Sequence, residues 1–135
     1  MADVGREFDR FIDIVKELRS EKGCPWDRGQ SPLSLKRYFL EETHELLDAV
    51  AAGDHKNVKE ELGDLLYLIV LLAQIHSEEN YFSINDVIET ISAKMVRRHP
   101  HVFNNEIIES EAELRQKWLE IKAREKAVCP KPKKN

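Results

Sequence analysis

Residues 54–79 read DHKNVKEELGDLLYLIVLLAQIHSEE. The second half of this stretch, from Leu65 to Ile75, is apolar at almost every position, so no two-residue alternation can be found in it. At this length the stretch is a helix, not a strand. A helix that is apolar on every side must be covered on every side. A chain of 135 residues has few elements with which to do that, which predicts a homodimer with this helix at its centre. The uninterrupted apolar run, Leu65 to Ala73, is too short to cross a bilayer and is entered directly from Glu61 and Asp64. No membrane span is expected.

Four further helices are expected around it. The first spans about Arg6 to Lys22, with Phe8, Phe11, Ile12, Val15 and Leu18 at helical spacing, and stops at Gly23, where Cys24-Pro25-Trp26-Asp27 begins a loop. The second opens at Ser31-Pro32, a capping serine followed by a proline suited to the first turn. It buries Leu35, Phe39, Leu46 and Val50 and ends at Gly53. Asp54 then caps the long helix, so the two are joined by a very short turn and should lie antiparallel. A fourth helix opens at Ser83 and Asp86, carries Ile84, Val87, Ile88, Ile91 and Met95, and stops at His99-Pro100, because the residue before proline disfavours the helical conformation. The fifth opens at Ser110 and Glu113 and carries Leu114, Trp118 and Ile121. The expected fold is all-α: an antiparallel bundle of about five helices over residues 6–126, its core completed by dimerisation, with residues 127–135 a basic, disordered tail.

Composition agrees with this. Charged residues make up 34% of the chain and aromatics 7%, with five Gly and five Pro, too few turn formers for a β-sandwich. The net charge of -4 gives no reason to expect non-specific nucleic-acid binding. Cys24 and Cys129 form no CxxC pair, so neither a disulfide framework nor a zinc site is expected. The charged N-terminal stretch has no apolar segment of the signal-peptide type, and a cytoplasmic location is expected.

The acidic residues are clustered. Glu41-Glu42-Thr43-His44-Glu45 lies on the second helix and Glu60-Glu61-Leu62-Gly63-Asp64 on the third. Residues three apart share a helix face, which pairs Glu42 with Glu45 and Glu61 with Asp64. Glu42 lies about eleven residues before the Gly53 turn and Glu61 about eight after it, so at a rise of ~1.5 Å per residue the pairs come to similar heights. Four carboxylates at one place repel one another unless a cation joins them, and a hard divalent ion with oxygen ligands, Mg²⁺ or Mn²⁺, suits that donor set. Read singly, each cluster is better taken as a solvated helix face; it is the match of the two pairs across a short turn, each beside an apolar stretch, that favours a metal site. Glu41 and His44 also spell the Glu-x-x-His unit of di-iron bundles, but the matching position on the next helix is Asp64 where a second histidine is needed.

Cations are available for an anionic ligand. Lys94 and Arg98 share a face of the fourth helix, flanked by Arg97 and His99, and Trp118 and Lys122 share a face of the fifth. Arginine can hold phosphate oxygens with two prongs, lysine acts as a mobile point charge, and Trp118 or Trp26 could stack on a base. No Walker A loop, GxGxxG or GxSxG is present.

Glu42-x-x-Glu45 and Glu61-x-x-Asp64, with Glu41 ahead, resemble the E-E-x-x-E … E-x-x-D pattern of MazG-type pyrophosphohydrolases. The resemblance extends to Gly23-Cys24-Pro25-Trp26-Asp27, to Arg97-Arg98-His99-Pro100-His101-Val102-Phe103 and to Trp118-Leu119-Glu120-Ile121-Lys122, and so covers about Phe8 to Glu125. It implies an all-α homodimer or dimer of dimers that hydrolyses nucleoside triphosphates to monophosphate and pyrophosphate. It further implies that Glu42, Glu45, Glu61 and Asp64 hold Mg²⁺, with Mn²⁺ a substitute, and that Glu41 is an additional acid near the metal. Lys94, Arg98 and Lys122 would bind phosphates, with Arg97 beside them, and Trp118 would line the nucleotide pocket. Either Glu41 or Glu45 would be the general base. A helical dimer that binds nucleotide or protein without turnover is the competing reading.

Overall fold

A computed structural model describes residues 2–128, and among these there are seven helices and no strand. The helices are α1 (Val4–Leu18), α2 (Pro25–Arg28), α3 (Lys36–Ala52), α4 (His55–Glu78), α5 (Ile84–Arg98), α6 (Pro100–Phe103) and α7 (Glu111–Val128). Five are the expected ones. The other two, α2 and α6, are single turns that each start at a proline, where a missing N–H costs nothing. The tail expected from residue 127 lies outside the described residues from 129 onward, and α7 itself reaches Val128. No described helix is long and apolar enough to cross a membrane.

The chain divides into two compact units, one up to Ile84 and one from Asn85 on. In the first, α4 packs against both α3 and α1. The core is Val15 of α1, Leu35 ahead of α3, and Leu68, Val70, Leu71 and Ile75 of α4, with Phe8, Phe11, Ile12, Tyr38, Phe39, Tyr67, Leu72 and Ile84 around them. The turn between α3 and α4 follows from two residues. Gly53 takes the left-handed conformation, φ 68°, and its N–H and that of Asp54 bond back to Val50 O and Ala49 O, closing the helix end. The Asp54 side chain then accepts from the Asn57 N–H at 3.2 Å and starts α4. The reversal expected from the sequence is therefore built as expected.

Three expectations need correction. The helix expected to open at Ser31-Pro32 starts at Lys36, with Leu35 at its N-cap and no side-chain cap: Ser31 and Ser34 instead form a turn ahead of it, each hydroxyl accepting from the other's backbone N–H, at 2.8 and 3.2 Å. The first helix ends at Leu18, short of Gly23, because the chain turns back on itself: Cys24 N–H bonds Leu18 O at 2.9 Å, and Gly23 N–H bonds Ser20 O at 2.8 Å. Gly23 is needed inside this turn, since a Cβ there would collide with the carbonyl oxygens of Glu17 and Leu18. Val50, expected on the buried side of α3, is 56% exposed; the buried positions of that helix's last turns are half-buried Leu46 and fully buried Ala49. On α4 the chain covers every side from Val70 to Ser77, where no residue is exposed, and leaves apolar side chains open nearer the start of the helix. Leu68, Val70, Leu71, Ala73 and Ile75 are buried, whereas Leu66 and Ile69 are 38% and 40% exposed and Leu62 more so.

In the second unit, α5 stops at Arg98, immediately before His99-Pro100. α7 starts from Ser110, whose Oγ accepts from the Glu113 N–H at 3.2 Å, while the Glu113 carboxylate reaches back to the Glu109 N–H at 3.1 Å.

Candidate metal centre and flanking cations

The acidic residues of α3 and α4 meet across the helix pair. Glu42, Glu45 and Glu61 each bring one carboxylate oxygen to within 4.8 Å of the others. Glu42 and Glu61 are half-buried and Glu45 exposed, so the group sits at the rim of the helix–helix contact and is open to a ligand. One oxygen of Glu42 and one of Glu61 are sequestered from solvent with no hydrogen-bond partner. Such orphaned oxygens are costly for a carboxylate pair. Burial, first, then the proximity of Glu61 and the charges of Glu45 and Asp64, push the Glu42 carboxyl up to about 7. Glu61 is raised too, by burial first, with Glu42 acting in the opposite sense and Glu45 adding to the rise. The donor set, all carboxylate oxygens with two lacking any partner, fits a hard divalent ion.

Two expected members stand apart from this trio. Asp64 is exposed and outside it, its side chain one methylene shorter, although its charge acts on both Glu42 and Glu61. Glu41 and His44 are exposed and outside the trio, so the Glu-x-x-His unit is not part of the group that forms.

The expected cations lie in the second unit, where α5 and α7 supply them together. The Trp118 ring carries two: Lys122 Nζ lies 4.6 Å from its centroid and the Arg98 guanidinium 5.8 Å. Arg97 and Arg98 are both paired with Glu125, at 3.0 Å each, which holds that carboxyl down at about 2. Lys94 is half-buried one turn before Arg98. A cavity of about 330 Å³ is lined by Arg98, His99, Glu111, Leu114, Arg115 and Trp118. His99 bonds Met95 O through Nδ1 at 2.6 Å, which fixes the start of α6.

Trp26, the remaining expected contact residue, sits on α2 in the first unit, 41% exposed and edge-on to Tyr38 with centroids 5.2 Å apart. Arg37 lies over the Tyr38 ring at 4.7 Å and donates to its hydroxyl at 2.6 Å. Behind Trp26 is a group that sequence reasoning missed. Asp27 is 5% exposed and accepts a bond from the Tyr67 hydroxyl. Arg19 donates to the Asp27 and Gln30 carbonyls at 2.6 and 3.3 Å and pairs with Glu78 at 2.7 Å. These residues tie the Trp26 turn to both ends of the apolar part of α4. The only sequence signal was the compact Gly-Cys-Pro-Trp-Asp string, which names Asp27 but not its partners.

Comparison with known proteins agrees with this geometry. The MazG nucleotide pyrophosphohydrolase domain family matches residues 30–103, which includes all of α3 and α4. The chain is 44% identical to a nucleoside triphosphate pyrophosphohydrolase of Escherichia coli K12 over 122 residues, 90% of this chain and 46% of that protein. It is 44% identical over 126 residues to the nucleoside triphosphate pyrophosphohydrolase/pyrophosphatase MazG of Thermotoga maritima, 93% of this chain and 48% of that one. It thus spans about half the length of these two curated relatives. The crystal structure of a mazG-related protein from Thermotoga maritima superposes with a TM-score of 0.71 at 30% identity, covering 85% of this chain and 98% of that one. With the helices, the carboxylate group and these matches in agreement, the chain belongs to the MazG nucleotide pyrophosphohydrolase domain family.

Proposed function

We propose that this chain hydrolyses nucleoside triphosphates between the α and β phosphates, giving monophosphate and pyrophosphate, with Mg²⁺ as the required ion and Mn²⁺ as a substitute. The observation that carries the reading is the trio Glu42, Glu45 and Glu61, with two buried oxygens lacking partners, on a MazG frame. Glu42, Glu45 and Glu61 would hold the ion, with Asp64 completing the set. When bound, the ion supplies charge neutralisation for the triphosphate and acidifies a water molecule.

The protein's own groups account for the other steps. Glu45 or Glu41 takes the proton of the attacking water. The water oxygen bonds to the α phosphorus, the bond to the bridging oxygen breaks, and pyrophosphate leaves with that electron pair. Lys94, Arg98 and Lys122, with Arg97 beside them, offset the charge on the phosphates. Trp118 and Trp26 offer ring faces to the base.

Assembly and location belong to the same proposal. Leu62, Leu66 and Ile69 of α4 and Leu40 and Leu47 of α3 are exposed apolar side chains on the two helices that carry the acids. We read them as the face that a second copy covers, in a dimer or a dimer of dimers. A cytoplasmic setting follows from the substrate class, with neither nucleic acid nor membrane as partner.

The test is product analysis. The purified chain, incubated with a panel of ribo- and deoxyribonucleoside triphosphates and Mg²⁺, should release monophosphate and pyrophosphate in equal amounts on chromatography. Diphosphate with inorganic phosphate would contradict the choice of bond, and tight nucleotide binding without turnover would replace catalysis with a binding role.

A further inference from the structure

We propose that Glu125 is a positioning residue for the triphosphate, acting through Arg98; the inference rests on the phosphate-binding role proposed above for Arg98. Trp118, Lys122 and Glu125 fall four and three residues apart on α7 and so form one stripe. Arg98 of α5 meets that stripe with a side chain only 12% exposed. A guanidinium has five N–H donors in one plane. Two of them are taken by Glu125: Nε–H to Oε1 at 3.3 Å and one Nη2–H to Oε2 at 3.0 Å. Trp118 lies against the guanidinium at 5.8 Å. Among the described residues no hydrogen bond takes the other Nη2–H or either Nη1–H. Glu125 thus holds the side edge of the guanidinium, Nε with Nη2, and leaves the end edge, with one N–H on each Nη, as the place where a phosphate oxygen can bind. Arg97 shares Oε1 at 3.0 Å but is half exposed, so its hold on that carboxylate is the looser one.

The electrostatic sign makes this more than a salt bridge. A carboxylate beside two arginines opposes the approach of an anion, so on charge alone the phosphate set would bind better without it. What it supplies against that cost is orientation: a guanidinium fixed on one edge and leaning on a ring loses little side-chain freedom when the anion arrives.

Glu125→Gln tests the proposal with opposite expectations from the two views. Steady-state triphosphate hydrolysis would be measured for the wild type, Glu125→Gln, Arg98→Ala and the double variant, well below the melting temperature of each. Positioning predicts a fall in kcat/KM of roughly tenfold or more in Glu125→Gln, and no further fall when the change is made on the Arg98→Ala background. An unchanged or raised kcat/KM in Glu125→Gln overturns it, as does an equal loss on both backgrounds, which marks a purely structural role. If Glu125→Gln does not fold, Glu125→Asp decides: the charge stays, the arm shortens by one methylene, and wild-type kinetics would overturn the proposal. Loss of the underlying reading looks different, since then Arg98→Ala itself would hydrolyse triphosphates normally.

Discussion

Buried charge sets the behaviour of single residues here, and it does so in two contrasting ways. At Asp27 the carboxylate is satisfied: the Tyr67 hydroxyl donates to it, and burial together with this bond drives the phenol above its ordinary range. At Glu42 and Glu61 the carboxylates are close, buried at one oxygen each, and lack partners. The first arrangement is structural, and its removal should show as stability. Tyr67→Phe leaves Asp27 buried without its donor and is expected to cost about 1–3 kcal/mol, read from chemical denaturation. A cost within error would mean that water reaches Asp27 and that the Trp26 turn is held by Arg19 alone. The two cases also differed in how far the sequence disclosed them. Glu42-x-x-Glu45 and Glu61-x-x-Asp64 repeat at helix spacing about a short turn, so a period reveals the meeting of Glu42, Glu45 and Glu61. Arg19, Asp27, Tyr67 and Glu78 come from two helices and the turn after α1 and share no period, so only the folded chain brings them together.

Several helix ends followed the sequence where a local rule decided them, but the Ser31-Pro32 start did not, since α3 begins at Lys36. Gly53 with Asp54 closes α3 and opens α4, and His99-Pro100 ends α5, each by chemistry confined to a few residues. Boundaries drifted where the chain satisfied its carbonyls by a turn instead, as at Leu18 to Cys24. Burial was less legible than helicity, because an apolar side chain such as Val50 reports only that it prefers cover. Gly63 is an exception to local logic. It stands inside α4 between Glu61 and Asp64, and a Cβ there would meet nothing within 4 Å. Helix propensity alone predicts that Gly63→Ala stabilises the metal-free chain by about 0.5–1 kcal/mol, measured as a shift in the denaturation midpoint at constant slope. Destabilisation would show that something occupies the space beside Gly63 in solution, a second copy of the chain being the obvious occupant.

For the whole molecule, the distribution of apolar surface is the leading observation. A single chain covers α4 on every side from Val70 to Ser77 but leaves Leu62, Leu66 and Ile69 nearer its start exposed, together with Leu40 and Leu47 of α3. Light scattering at micromolar concentration should therefore return a multiple of 15.7 kDa, two or four; a particle of a single chain's mass would contradict the proposed assembly. The claim on which the functional reading turns is that the carboxylates of α3 and α4 hold the divalent ion used in hydrolysis. Glu61→Gln tests it most directly, since the change is nearly isosteric and removes one charge from a repelling group. The measurement is the melting temperature with and without Mg²⁺, with triphosphate turnover recorded on the same samples. The wild type should melt higher in Mg²⁺, because an ion that binds only the folded state stabilises it. Glu61→Gln should melt no lower than the wild type without Mg²⁺, lose most of the Mg²⁺-induced rise, and lose most turnover. A variant that responds to Mg²⁺ and hydrolyses triphosphate like the wild type would contradict the account.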